Sequence, residues 1–274
     1  MVKLCMEEVN CIIVEKLPNK LDIKYIVQPA PDTMAMMLYP LIEDVQAHGK
    51  CTKKTIVFCK SYTDYVEVSV SELHNRNCFL VESLDGSKQP VCEMYSASTA
   101  EDVKDAVLQS FTDPKGHVCI VVATIAFGMG LDTPDVRQSI HLKPSDTIQA
   151  YVQETGRCGR DGQDSIALLY YRNKDVSKAS SASSSIKAYC TNKELCRRQQ
   201  LMKEFDASDA VVCPEPIHKC CDVCEQNCTC RDHRVVFQLT EGEVSETVAI
   251  NVDDYVASPV KKRKKKNTQN CTQC

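Results

Sequence analysis

Long apolar runs are missing from these 274 residues. No window approaches the roughly 20 apolar residues that a membrane-spanning helix needs, so no contact with a membrane is expected. Residues 1–19 place Glu7, Glu8 and Glu15 among short apolar stretches and offer no small-residue cleavage site, so no secretory leader is expected either. Positive charge is not in excess: 33 Lys and Arg stand against 37 Asp and Glu, for a net charge of −4. That balance excludes a histone-like polycation and leaves any nucleic-acid contact to a local basic surface. Internal repeats are absent.

What is abundant is cysteine, 18 in all. In a secreted chain this count would imply a disulfide framework. Without a leader, the expectation is a reduced, intracellular protein whose cysteines serve two ends. Some are core filler, as Cys59 and Cys119 inside apolar strands suggest, and others are metal ligands. The length fits one large domain and one small one.

From about residue 21 to 171, short apolar runs alternate with helix-like stretches, the pattern of βαβ units winding a parallel sheet. The clearest strands are 55–59 (TIVFC), 118–123 (VCIVVA), 139–141 (SIH) and 166–170 (IALLY), whose unbroken apolar character predicts that both faces are covered. Thr99 is expected to cap a helix carrying Val103, Ala106, Val107, Ser110 and Phe111 on one face, ended by Pro114 and Gly116. Ser145 or Asp146 is expected to open another, carrying Ile148, Tyr151 and Val152 and closed by Gly156. The Ser-rich stretch 177–185 reads as a linker or a helix start, and 186–206 as one charged amphipathic helix leading into a cysteine cluster.

The most informative stretch is 121–162, VVATIAFGMGLDTPDVRQSIHLKPSDTIQAYVQETGRCGRDG. Its two glycine- and arginine-bearing segments resemble motifs V and VI of superfamily 2 helicases, and the wording AFGMGLDTPDVR followed by QETGRCGRDG resembles the RecQ family. Either segment alone would read as an ordinary turn or a solvated arginine pair; it is their linkage that is specific. The resemblance implies a RecA-like parallel sheet flanked by helices, then a small helical zinc-binding subdomain and a disordered tail. The implied boundaries are 1–20 for the end of an interlobe connection, 21–178 for the second RecA-like lobe, 179–230 for the zinc domain and 231–274 for the tail.

By that resemblance Arg160 is an arginine finger, a fixed guanidinium that neutralises charge on leaving phosphate oxygens when two lobes close. Arg157 contacts phosphate or holds the interlobe network, and Gln153 links nucleotide state to closure. Gly130 and Asp132 belong to the coupling motif, although Asp132 reads equally well as a turn carboxylate. Thr124, Lys60, Ser61 and Ser96 match positions at strand ends that meet a nucleic-acid backbone. Phosphate contacts of this kind hold position without reading sequence.

Cys196, Cys213, Cys221 and Cys224 form a C-x16-C-x7-C-x2-C series, suited to a tetrahedral, structural zinc ion that the fold would require. The segment 189–205, with Arg197 and Arg198 directly after Cys196, resembles the helix bearing the first ligand in RecQ zinc domains. Cys220, Cys228, Cys230 and His218 crowd the same region, so a shifted ligand set stays open. Arg197, Arg198 and Lys203 read either as a basic helical face toward DNA or as a solvated face. In the tail, the basic run 261–266 (KKRKKK) suits a nuclear import receptor or a DNA-attracting tail, and either reading places the protein in the nucleus.

The sequence holds no G-x-x-x-x-G-K-[ST] loop and no D-E-x-H box. ATP and Mg2+ are therefore expected only together with a first RecA-like lobe, and the chain alone is expected neither to bind ATP tightly nor to hydrolyse it. Two functions follow as expectations. One is the C-terminal part of an ATP-dependent 3′-to-5′ DNA helicase of RecQ type, acting on single-stranded or junction DNA in repair, recombination or replication. The other is a non-catalytic nucleic-acid-binding or regulatory paralogue.

Overall fold

The computed structural model describes residues 18–60, 64, 80–82, 88–124, 133–205 and 211–230. Strands β1 (Ile23–Pro29), β2 (Thr55–Cys59), β5 (Cys92–Tyr95), β6 (Ile120–Thr124), β7 (Gln138–His141) and β8 (Ser165–Tyr171) form one sheet in the order β1-β8-β7-β2-β6-β5. All five pairings are parallel. Strands β3 (Leu80–Glu82) and β4 (Lys88–Pro90) make a separate antiparallel pair that the apolar pattern does not signal.

Parallel neighbours need crossover connections, and helices supply them. Among the described residues these are α1 (Met34–His48), α2 (Glu101–Thr112) and α3 (Ile148–Thr155). Alternate strand residues point to opposite faces. Ile56, Phe58, Val121, Ala123, Ala167 and Leu169 enter one core, while Val57, Cys59, Ile120, Val122, Leu168 and Tyr170 enter the other. This explains why the strands are apolar at every position, and β2 is buried along its whole length. The second core is closed by Met37, Leu38, Leu41 and Val45 of α1. The first is closed by Phe111 of α2 and Tyr151 of α3, and then by residues that follow the sheet: Tyr189 of α4 (Ser184–Thr191), Leu201 and Met202 of α5 (Arg197–Lys203), and Val223 of α6 (Asp222–Gln226). All described residues belong to one compact unit spanning residues 1–234.

Several helix starts depart from the expectation, each for a local reason. Helix α2 is capped by Ala100, because the Thr99 hydroxyl is taken by the Ser96 amide at 3.0 Å. Helix α3 is capped by Thr147, whose hydroxyl accepts from the Ala150 amide, while Ser145 donates to Glu154 at 2.6 Å instead. The long helix expected over 186–206 is two helices. Asn192 accepts at its side-chain oxygen from the amides of Glu194 and Leu195 at 3.1 and 3.0 Å, a local turn that competes with helix continuation.

Strand β1 lies at the sheet edge, where unpaired backbone groups would invite another strand. Its outer side is covered by the cysteine segment. The Tyr25 amide donates to the Cys220 carbonyl at 3.2 Å, Tyr25 forms a parallel bridge with Cys221, and the Val27 amide donates to an Asp222 carboxylate oxygen at 3.2 Å.

Candidate functional site

Three strand ends gather most of the residues expected to meet a nucleic-acid backbone. In register, Thr124 stands opposite Cys59 of β2, and Ala123 opposite Tyr95 of β5, so Lys60, Thr124 and Ser96 occupy the carboxyl ends of three adjacent strands. This is the edge where open α/β sheets bind ligands. The Lys60 ammonium pairs with Asp146 at 2.7 Å. Thr124 is half-buried, whereas Ser96 is buried and its hydroxyl engages Ser98 and Thr99 in its own turn. Lys143, just beyond β7, pairs with Asp64 at the same edge. Sequence reasoning passes over it because its neighbours come from distant segments. Ser61, Gly130 and Asp132 lie outside the described residues.

The arginine turn lies elsewhere on the sheet. It runs back along β7, from Glu154 beside His141 at the strand's carboxyl end to Gly159, whose amide donates to Val136 before the strand begins. Gly159 has φ +60, and a Cβ there would stand 1.8 Å from an Asp22 carboxylate oxygen, so the tight passage requires glycine. Arg137 grips Asp161 with both terminal guanidinium nitrogens, pinning the turn's outer limb. Gln153 and Arg160 are exposed and Arg157 is buried. Burial, aided by repulsion from Arg160 and opposed by Glu154, holds the Arg157 pKa below its ordinary value. Lys20 joins the cluster. Its ammonium donates to the Cys158 carbonyl at 2.8 Å, and burial lowers its pKa against the pull of Asp22, with Arg160 lowering it further. Arg160 thus repels both Arg157 and Lys20 at this turn, a Coulombic cost that Glu154, Asp22 and Asp161 offset in part.

Behind the turn lies an aromatic column. His141 stacks on Phe58 with ring centroids 4.6 Å apart and meets the edge of Tyr151 at 4.9 Å, and Tyr151 contacts Tyr189 at 5.5 Å. Glu154 accepts from His141 at 3.0 Å and from Ser145 at 2.6 Å. Burial raises the Glu154 pKa, but the hydrogen bonds from His141 and Ser145 and the charges of His141 and Arg157 outweigh it, leaving a net lowering from 4.5. A depressed carboxylate adds stability that is present above the unfolded value and lost as pH falls below it. Glu154→Gln is therefore expected to destabilise the chain by about 1.5–3 kcal/mol at pH 7. The difference from wild type should shrink as pH drops from 4.5 toward 3. Thermal melts at the two ends of this range check it, and a gap that stays constant would show that the charge of Glu154 contributes nothing.

The cysteine centre forms where α5 and α6 begin, with Cys196 and Cys221 as their N-caps. The sulfurs of Cys196, Cys220, Cys221 and Cys224 all lie within 4.8 Å of one another. Cys213, expected as the second ligand, has its sulfur 3.8 Å from Cys196, beside the group, and Cys220 stands 3.5 Å from Cys196 within it. The amides of Arg197 and Cys224 both donate to the Cys221 sulfur at 3.4 Å. Hydrogen bonds from Cys220 and Cys221 pull the Cys196 thiol well below its ordinary range. The same bond with Cys196 drives Cys220 up, and burial followed by the charge of Cys221 drives up Cys224. Four thiolates this close repel one another, so a divalent cation is what lets them all ionise. The donor set fits tetrahedral zinc.

Arg197 and Arg198 form neither a solvated face nor a DNA-facing one. Arg197 is 3% exposed and Arg198 0%. Arg197 holds Asp222 through Nε at 2.9 Å and Nη2 at 3.0 Å, and donates to the Tyr189 carbonyl. Burial opposes its charge, but the Asp222 pairing wins and raises its pKa. Arg198 lies over the Tyr25 ring, 5.2 Å from its centroid, and donates to Asn19 Oδ1 and to the Lys20 and Ile23 carbonyls. The pair binds the cysteine centre to the start of β1.

Comparison with known proteins agrees with this architecture. Residues 36–162 match the helicase conserved C-terminal domain. ATP-dependent DNA helicase Q1 of Pongo abelii is 29% identical over 231 residues, covering 81% of this chain and 32% of that protein. The Mus musculus protein of the same name is 37% identical over 139 residues, covering 45% and 22%. RecQ-like DNA helicase blm-1 of Caenorhabditis elegans is 32% identical over 172 residues, covering 56% and 17%. The chain therefore carries a helicase C-terminal lobe. That lobe is of the RecQ type. The chain spans a third or less of the length of these relatives.

Proposed function

We propose that the chain supplies the second motor lobe and zinc module of an ATP-dependent DNA helicase of 3′-to-5′ polarity, acting in the nucleus on single-stranded or junction DNA in repair, recombination or replication. The observation that carries this reading is the cationic turn. Lys20, Arg157 and Arg160 crowd one loop, with Arg160 exposed. The guanidinium of Arg160 at such a loop suits the charge that develops on nucleotide phosphates held by a first RecA-like lobe.

In this reading Arg160 meets the transferring phosphoryl group, Arg157 holds the phosphate side of the cleft, and Gln153 reports nucleotide state to the lobe interface. Gly130 and Asp132 couple that cleft to the DNA track. Lys60, Ser61, Ser96 and Thr124 follow the DNA backbone, and Lys143 joins them from the next strand end. Zinc would be held by Cys196, Cys221 and Cys224 with Cys213 or Cys220, and would supply structural cross-linking only, since four sulfurs leave no open position. The run 261–266 serves a nuclear import receptor.

Joined to a first RecA-like lobe carrying a phosphate loop, the chain is expected to yield DNA-stimulated ATP hydrolysis that neither piece shows alone. A correctly folded fusion without DNA-stimulated turnover would refute the motor reading and favour a non-catalytic binding module.

A further inference from the structure

Residues 213–230 carry more metal-binding side chains than one tetrahedral ion can use. Beside the four-cysteine group stands a second one, in which His218 Nδ1 and the sulfurs of Cys228 and Cys230 all lie within 4.8 Å of one another. The separations are 3.0 Å from His218 to Cys230, 3.7 Å from His218 to Cys228 and 3.2 Å between the two sulfurs. With zinc–sulfur bonds of about 2.3 Å and zinc–nitrogen bonds of about 2.0 Å, the edges of a tetrahedral site are roughly 3.5–3.8 Å. The cluster therefore needs only a slight opening to take an ion. The sulfurs are too far apart for a disulfide, whose S–S length is about 2.05 Å.

The local chain explains the convergence. Helix α6 ends at Gln226, and the Cys228 amide donates to the Glu225 carbonyl at 3.1 Å, turning the chain back. His218 belongs to the 3-10 turn Ile217–Lys219, immediately before Cys220 and Cys221. The two groups thus share one short segment while using different side chains. Apolar burial there is sparse: among the described residues of 211–230, the only buried hydrophobic residue other than cysteine is Val223.

We propose that His218, Cys228 and Cys230 form a second zinc(II) site, which ties the end of α6 to the turn before it. Two sulfurs and an imidazole suit a borderline-soft divalent ion. All three residues are partly exposed, so the fourth position is open to a water molecule. Binding converts the two thiols to thiolates and releases two protons to solvent, with no redox change.

The test counts zinc on the full, reduced, monomeric chain by elemental analysis. Wild type is expected to hold two ions. Cys228→Ser/Cys230→Ser is expected to hold one fewer than wild type with an unchanged far-UV circular dichroism spectrum, and Cys224→Ser is expected to lose the other ion. This separates failure of the four-cysteine site from failure of the proposed one. Thiol footprinting of wild type gives an answer even where a variant fails to fold. Added zinc should shield Cys228 and Cys230 from alkylation, and its removal should expose them. Equal zinc content in wild type and the folded double variant overturns the proposal. So does labelling of these two thiols that is indifferent to zinc, or a mass two units low that marks a Cys228–Cys230 disulfide.

Discussion

Asp222→Ala should lower the stability of the chain by about 3 kcal/mol, at the lower end of what breaking a buried ion pair costs. The lower end applies because the Asp222 side chain is 17% exposed while that of Arg197 is 4% exposed. The carboxylate accepts four hydrogen bonds: two from the Arg197 guanidinium and one each from the Val27 and Val223 amides. Its loss strands a buried cation and an edge-strand donor together. For a folded unit of this size the melting temperature should fall by roughly 6–12 °C. The double change Arg197→Met/Asp222→Ala should recover most of that loss, since apolar side chains remove the charge along with its partner. Calorimetry on the four proteins of the cycle measures the coupling. An additive cycle, with the double variant no better than Asp222→Ala, would show that the pair is not what holds the cysteine centre to β1.

The same pair marks the boundary of what the sequence discloses. The strands are legible because a parallel sheet covered on both faces demands apolar residues at every position, and 55–59 and 166–170 obey. Helix α3 is legible from Ile148, Tyr151 and Val152, but its start is not: the sequence points to Ser145 or Asp146, and Thr147 is the cap. The choice turns on Glu154, which claims Ser145 from nine residues away. Arg197 and Arg198 follow a pattern that any solvated helix face also shows. Only the fold brings Asp222, Asn19 and the Lys20 and Ile23 carbonyls to them. Lys20 and Lys143 are invisible for the same reason, since each joins its cluster through the winding of the sheet. The Cys-x2-Cys pair at 221 and 224 is readable from spacing, because it spans a single helical turn. Whether Cys213 or Cys220 stands closer to it depends on how the intervening loop folds, and spacing carries no information about that.

Arg160→Ala, in a fusion with a first RecA-like lobe, should reduce kcat for DNA-stimulated ATP hydrolysis by about 1,000-fold, or about 4 kcal/mol of transition-state stabilisation. KM for ATP should change little, because a finger that acts on the transferring phosphoryl group adds nothing to the binding of the ground state. Affinity for DNA should stay within about 2-fold, since Lys60 and Thr124 occupy the carboxyl ends of the strands and Arg160 follows Gly159 toward the amino end. Arg160→Lys should rescue less than a tenth of the activity, because a point charge on a flexible stem cannot present the planar fork. Arg157→Ala is expected to behave differently. Arg157 is 6% exposed and electrostatically coupled to Glu154, so its loss should lower the melting temperature along with kcat. Stopped assays at saturating ATP, paired with melts of each variant, separate the two roles. An Arg160→Ala fusion that melts as wild type and turns over at more than a tenth of the wild-type rate would take the finger away from this turn.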